Sequence, residues 1–290
     1  MSITEEKAFA KLNISLDVTA KRPDGFHDML MVMQSVSLHD TVTVELTGSG
    51  RCRASSEYHY IPSDERNLAV RAAMRFFAAA GLEGAGANIS LRKRIPVGAG
   101  MAGGSSDAAA VLRALNRLCG TGFSADELEG LAADIGSDVA FCVSGGTALA
   151  SGRGEKLTRL PSLPECTMVI CKPGFSISTP ELFKKLDSVK LRCHPDTAGI
   201  REALNRGSLD DVARRMYNVF ESVPDRRMNT VAEIKSRMLD CKALGSVMTG
   251  TGSSVFGVFR SAADAEKACR ELSKDHRFCC IAEPQKRIEV

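Results

Sequence analysis

The sequence predicts an α+β fold in two domains. Three observations carry that prediction. Period-two and helical hydrophobic patterns are mixed along the chain without the strand–helix–strand regularity of a doubly wound sheet. A length of 290 residues is enough for two cores. Pro161 and Pro164 break regular structure just past a glycine-punctuated stretch at 145–154, which places the boundary between an N-terminal unit, 1–155, and a C-terminal unit, 156–290.

The elements follow in order. Residues 11–18 alternate, with Leu12, Ile14, Leu16 and Val18 on one face and Lys11, Asn13, Ser15 and Asp17 on the other, as in a half-buried strand. Asp24-Gly25 marks a turn, and 41–46 alternates again. Asn67 to Ala80 has helical composition and stops at Gly81. A short strand at 87–91 leads through Arg92-Lys93-Arg94 into a glycine loop. Beyond it, Ala108, Val111, Leu112, Leu115 and Leu118 recur at helical spacing. Ser124 with Glu127 forms a capping box for a helix that ends at Gly136. The second half reads as a strand at 167–171, helices near 180–187, 199–205, 208–221 and 227–240, a small-residue loop at 249–254, a strand at 255–259, a helix at 262–273 and a closing strand at 277–282.

Composition excludes several classes of function. With 44% hydrophobic and 25% charged residues the chain is an ordinary globular protein, and a net charge of +3 argues against nucleic acid or an acidic membrane surface as partner. Ten cysteines are scattered with no Cys-x-x-Cys and no zinc-like Cys/His spacing, which fits a reducing cytoplasm. Cys279-Cys280 reads as two strand residues on opposite faces, with a redox pair as the alternative. The opening residues lack a signal peptide, and no apolar stretch is long enough to span a bilayer.

Chemistry enters at Pro96-Val97-Gly98-Ala99-Gly100-Met101-Ala102-Gly103-Gly104-Ser105-Ser106-Asp107. Glycines leave backbone N–H groups free to close around an anion, and the helix that follows points its N-terminal dipole at the same place. A Walker A loop would need Lys-Ser or Lys-Thr after its last glycine, and here Gly104-Ser105 follows Gly103. Gly98-x-Gly100-x-x-Gly103 fits the dinucleotide fingerprint in letters, yet the strand before it is basic and broken by Pro96. A turn with only a packing role is the bland alternative.

Phosphoryl transfer also needs an oriented acceptor and cationic help. Lys11 and Asn13 point the same way from the first strand; on alternation alone, a solvated strand face is the better account of them. Asp138, in a sharp turn after a helix, is either a general base or a turn aspartate.

Pro-x-Gly-x-Gly-x-x-Gly-Gly-Ser-Ser feeding a helix resembles the ATP loop of the GHMP kinase superfamily. The order of Ala10-Lys11-Leu12-Asn13, Arg22-Pro23-Asp24-Gly25-Phe26-His27, the loop at 96–107, Ile135-Gly136-Ser137-Asp138-Val139, 145–155 and Thr249-Gly250-Thr251-Gly252-Ser253 resembles one branch of it. That branch phosphorylates a cytidine diphosphate methylerythritol on the non-mevalonate route to isoprenoids. The resemblance implies an N-terminal mixed sheet with helices that carries the ATP loop and the catalytic residues. A C-terminal α/β sandwich would complete the substrate cleft. Lys11 and Asp138 are implied as the catalytic pair, and Pro96, Val97, Gly98, Ala99, Gly100, Met101, Ala102, Gly103, Gly104, Ser105 and Ser106 as the wrap around the ATP phosphates. Asn67 and Lys93 are implied near the adenosine; otherwise they pass as an N-cap and a surface lysine. Asn13, Phe26, His27, Thr179 and Phe183 are implied to hold the cytidylyl substrate, although Phe183 alone reads as helix core. Mg2+ is expected on phosphates and water, with no protein metal ligand. The expected assembly is a cytoplasmic monomer or homodimer. Two departures stand out. Phe26 replaces the more familiar tyrosine, and Met101-Ala102 replaces Leu-Gly, which requires a backbone angle at 102 that alanine tolerates. A homoserine- or mevalonate-type kinase and a non-catalytic ATP-sensing relative are the rival readings.

Overall fold

The computed structural model describes residues 2–290. Its first half consists of β1 (Ile3–Lys21), β2 (His27–Thr47), β3 (Cys52–Ser56), α1 (Leu68–Ala79), β4 (Gly86–Arg92), α2 (Gly103–Cys119), α3 (Ala125–Ala133), α4 (Val139–Ser144), β5 (Thr147–Ser151) and β6 (Lys156–Arg159). The second half continues with β7 (Thr167–Lys172), α5 (Thr179–Leu186), α6 (Thr197–Asn205), α7 (Leu209–Arg214), β8 (Tyr217–Asn218), a 3-10 turn at Val219–Ser222, α8 (Arg227–Asp240), β9 (Gly245–Met248), β10 (Val255–Phe259), α9 (Ala262–Leu272) and β11 (Phe278–Ala282). The fold is α+β. No helix among the described residues is long and apolar enough to cross a membrane.

Seven strands form a mixed sheet in the order β3-β4-β2-β1-β8, with β5 also on β2 and β6 on β5. The first sheet therefore runs to Arg159, past the boundary expected at 155, and borrows β8 from the later half. A four-stranded sheet, β11-β7-β10-β9, backs α8 and α9. Its antiparallel strands give it an α/β sandwich form.

The long β1–β2 hairpin is not regular. Its register shifts between Phe9 and Lys11, between Asn13 and Ser15, and between Val18 and Ala20. A bulge reverses which face the following side chains take. Leu12 and Ile14 accordingly pack with Ile95, Met101 and Phe256, whereas Leu16 and Val18 join the core around α2 and Phe141. The expected single apolar face is therefore two, and the polar face is not solvated: Lys11, Asn13, Ser15 and Asp17 are all buried.

Helix α2 starts earlier than its apolar stripe suggests, at Gly103, so Ser105 and Ser106 lie in its first turn. From Ser106 to Leu115 every residue is buried. Alanines at 108, 109, 110 and 114 keep this helix thin enough to pack against β1, β2, α1 and α4 together. The capping box of α3 is present, with Ser124 accepting from Glu127 N and Glu127 reaching back to Ser124 N.

The helix expected over 208–221 is interrupted. Ser208 caps α7, after which Tyr217 and Asn218 pair in parallel with Ser15 and Leu16 of β1. Here tertiary pairing overrides a helical pattern. Asn218 is fully buried; its Nδ2 donates to Met248 O (2.7 Å) and Gly250 O (2.8 Å), and its Oδ1 accepts from Phe220 N. Replacing it strands two carbonyls and one amide away from water, each costing about 1–3 kcal/mol. Asn218→Leu should therefore lower unfolding stability by several kcal/mol, read as the urea midpoint; an unchanged midpoint would show that relaxation re-pairs these groups.

Candidate active site

Every second residue of the glycine loop takes a positive φ: Gly98 at 64°, Gly100 at 76° and Ala102 at 59°. Alternation of this kind turns successive N–H groups toward one side and makes an anion-binding concavity. Between them, Ala99 and Met101 drive their side chains into the core. Side chains thus anchor the loop and leave its main chain to face the cavity. Ala102 is a correction to the sequence reading: it sits in the left-handed region as the N-cap of α2, where alanine is strained by about 1–2 kcal/mol. Ser105 lies on the cavity wall, but the Ser106 hydroxyl is turned away, donating to Phe9 O at 2.7 Å. Its amide donates to Ala102 O, so Ser106, expected in the phosphate wrap, offers neither hydroxyl nor N–H to the cavity.

The Lys11 backbone N–H points away from β2 and donates to Met101 O. The strand is thereby docked on the loop. The Lys11 ammonium is buried, 2.7 Å from Asn13 Oδ1 and 3.5 Å from Asp138 Oδ2. Asp138 precedes α4 yet makes no side-chain capping bond, so its carboxylate, 30% exposed, is left facing the cavity. Asn13 is saturated: its Oδ1 also accepts from Gly250 N, and its backbone N–H donates to Thr249 Oγ1. The small-residue loop at 249–254 seats directly on the glycine loop. A Cβ at Gly100 would lie 2.2 Å from Thr249 O, so this contact is main chain to main chain.

Lys93 is neither a surface lysine nor a free cation. Its ammonium lies 2.5 Å from both Asp40 Oδ2 and Asp107 Oδ2, and all three side chains are buried. Asp40 Oδ1 also accepts from Arg94 N and Ile95 N. Residues 93–95 enter the glycine loop and Asp107 leaves it, so one ammonium ties the two ends of the loop together. Two carboxylates share one cation. Burial is the chief reason that the Asp107 carboxyl is pushed up to about 7, with Lys93 opposing and Asp40 adding to the rise. Asn67 caps α1 through Ala69 N and binds Pro62 O, and it lines the same side of the loop as Lys93.

On the other side stands an aromatic shelf. The His27 ring stacks on Phe183, with centroids 4.6 Å apart, and Phe183 meets Phe220 edge-on. His27 Nε2 is 2.7 Å from Asp187 Oδ1, while Lys21 Nζ holds the other oxygen. Phe26 is 55% exposed, with the Arg153 guanidinium 5.1 Å above its ring. Asp24 shapes the turn by accepting from Phe26 N and Arg22 Nε. Thr179 bonds Thr251 through their hydroxyls, joining α5 to the 249–254 loop.

Two cavities meet here. One, of about 710 Å³, is lined by Lys11, Asp138, Phe26, His27, Thr179 and Phe183. The other, of about 370 Å³, is lined by Asn67, Lys93 and the loop from Pro96 to Ser105. Gly98, Gly100, Ala102 and Ser105 line both. Residues 67–146 match the model of the GHMP kinases N terminal domain, and residues 200–277 that of the GHMP kinases C terminal domain. The chain is 45% identical over 255 residues to the 4-diphosphocytidyl-2-C-methyl-D-erythritol kinase of Bacillus subtilis (strain 168), covering 87% of each. It is 41% identical over 273 residues to that of Alkaliphilus metalliredigens (strain QYMF), covering 94% of each.

The chain belongs to the 4-diphosphocytidyl-2-C-methyl-D-erythritol kinase family of GHMP kinases. A crystal structure of a 4-(cytidine 5'-diphospho)-2C-methyl-D-erythritol kinase superimposes with a TM-score of 0.80 at 33% identity, over 97% of this chain and 99% of the other. A homoserine kinase from Cytophaga hutchinsonii, at 21% identity and a TM-score of 0.75 over 98% of this chain and 96% of the other, shares the fold.

Within this family member, Asp40, Asp107, Arg153, Asp187 and Thr251 surround the site although the sequence did not single them out. Each acts on a neighbour remote in the chain, such as Asp187 on His27. No local spacing signals such a pair. The raised Asp107 carboxyl has a consequence for stability. Its folded value exceeds the unfolded one, so its contribution is full below about 4 and is lost as pH rises through about 7. The stability of wild type relative to Asp107→Asn should therefore fall across that window, followed by urea unfolding at stepped pH; a constant difference would contradict it.

Proposed function

We propose that the protein is an ATP-dependent kinase that phosphorylates the 2-hydroxyl of 4-diphosphocytidyl-2-C-methyl-D-erythritol. One observation carries the reading: a carboxylate and an ammonium 3.5 Å apart stand in one cavity, and a loop of bare amides separates it from the next. The nucleotide would lie with its phosphates on the main chain of 96–105 and its adenosine toward Asn67 and Lys93. The acceptor would enter from the opposite side, its cytosine against Phe26, His27 and Phe183.

In that arrangement Asp138 takes the proton of the attacking hydroxyl. Lys11 keeps Asp138 anionic and steadies the incipient alkoxide, and Asn13 fixes the ammonium while its own amide is held by the 249–254 loop. Magnesium would arrive with the nucleotide and neutralise charge on its phosphates. The backbone concavity and the Ser105 hydroxyl are what the chain offers to that assembly; Mg2+ would keep water and phosphate oxygens as its ligands. The aromatic shelf favours a base-bearing acceptor over homoserine or mevalonate, which have no ring to stack. A substrate panel with radiolabelled ATP would decide, and preferential labelling of homoserine or mevalonate would overturn the proposal.

Two variants separate chemistry from binding. Asp138→Asn should cut turnover by about 10²–10⁴-fold or more with nucleotide affinity near wild type, checked by steady-state kinetics beside a fluorescent-nucleotide titration. Unchanged turnover would remove Asp138 from the mechanism. Phe26→Ala deletes one stacking face worth about 0.5–1.5 kcal/mol, so KM for the cytidylyl substrate should rise up to about tenfold with kcat and the KM for ATP little altered.

A further inference from the structure

We propose that Cys171 and Cys279 are a modification site: a dithiol that a hydroperoxide converts into an intrachain disulfide between β7 and β11. The redox alternative raised by the adjacent Cys279-Cys280 pair thus acquires a different partner. Cys280 sits opposite Ile170 and packs with the core around Ile170 and Val258, whereas Cys279 sits opposite Cys171 and packs into the other core. Consecutive strand residues face opposite ways, so Cys279 and Cys280 cannot meet.

Cys279 and Cys171 do meet. They are register partners on adjacent antiparallel strands, and their sulfurs are 3.3 Å apart. Directly opposed antiparallel residues have Cα atoms about 4.5–5.5 Å apart, within the span of about 4.4–6.8 Å that disulfides use. The backbone therefore needs no rearrangement to accept the bond. All ten cysteines are free thiols.

The two sulfurs differ in exposure: Cys279 is half-buried and Cys171 is buried, so a peroxide from solvent meets Cys279 first. Ser273 and the Arg237 charge favour the Cys279 thiolate, with burial opposing them. Burial disfavours the Cys171 thiolate. The steps balance. The Cys279 thiolate attacks a peroxide oxygen, giving a sulfenic acid and releasing hydroxide. Cys171 then attacks the sulfenic sulfur, forming the S–S bond; its proton leaves with the hydroxyl as water. Two electrons pass from the thiols to the peroxide. Neither cysteine lines the cavities described above, so the site is separate from the kinase centre.

Native protein is treated with near-stoichiometric hydrogen peroxide, quenched and analysed by intact mass and peptide mapping. The expected product has lost two hydrogen atoms, carries a Cys171–Cys279 linked peptide, and reverts with dithiothreitol. In Cys171→Ser, Cys279 should accumulate as a sulfenic acid that dimedone traps. In Cys279→Ser, Cys171 should be oxidised at least tenfold more slowly than Cys279 is in wild type. The proposal is overturned if Cys279 links to Cys269 or Cys280, or if both thiols survive while the exposed Cys193 is oxidised.

Discussion

Lys11 N donates to Met101 O, and Ser254 N donates to Ala99 O, so the glycine loop is held by main chain from both sides. Much of the site's geometry follows from that constraint. A loop gripped through its own carbonyls presents its N–H groups elsewhere, toward the space shared by the two cavities. The grip also fixes where β1 lies, and with it the Lys11 ammonium that faces Asp138. Gly100 and Gly250 have to be glycines for the same reason: a Cβ on either would come within 3 Å of the other loop's main chain. The relation between β1, which carries Lys11, and the proposed phosphate cradle is set by backbone, which side-chain motion cannot loosen.

Holding the loop in this shape costs free energy. Ala102 occupies a left-handed conformation without glycine's freedom, and strain of this kind persists only when the surroundings over-determine it. Those surroundings are the Asp40–Lys93–Asp107 cluster. One ammonium bonded to the entry and the exit of the loop leaves it little room to relax into another form. A buried cluster with two carboxylates and one cation is not a cheap source of stability, because desolvation opposes the attraction. Its value lies in specifying one arrangement. Removing the cation would strand two like charges in the core.

The loop and its helix were legible in the sequence because glycine spacing and helical periodicity are local signals, whereas the Lys11–Asp138 pairing came only from the resemblance to the GHMP kinases. The strands at 87–91, 167–171 and 255–259 were legible for the same reason, their apolar patterns being uninterrupted. The bulges were not. Alternation at 11–18 runs unbroken in the sequence, yet the register shift between Asn13 and Ser15 sends Ile14 and Leu16 to different cores. Nothing in the side-chain pattern marks a bulge that is created by the partner strand and by Thr249 from 236 residues away. Segment 208–221 failed similarly, since β8 exists only because β1 is there to pair with it. Asp187 was invisible because its meaning comes from His27, on another element.

The loops packed on β1 also explain how a lysine comes to be buried where an alternating strand would have exposed it. Alternate N–H groups of a strand face opposite edges, and those of Lys11 and Asn13 face away from β2, toward Met101 O and Thr249 Oγ1. The Lys11 ammonium turns into the space between β1 and Asp138. Desolvation there is offset by Asn13 Oδ1 at 2.7 Å and by the carboxylate at 3.5 Å. Because Asp138 makes no capping bond and is partly exposed, it retains lone pairs for an incoming hydroxyl. In the proposed reaction, the main-chain bond from β1 to the glycine loop brings the cation to the phosphate cradle, and the ion pair with Asp138 brings the base to the cation.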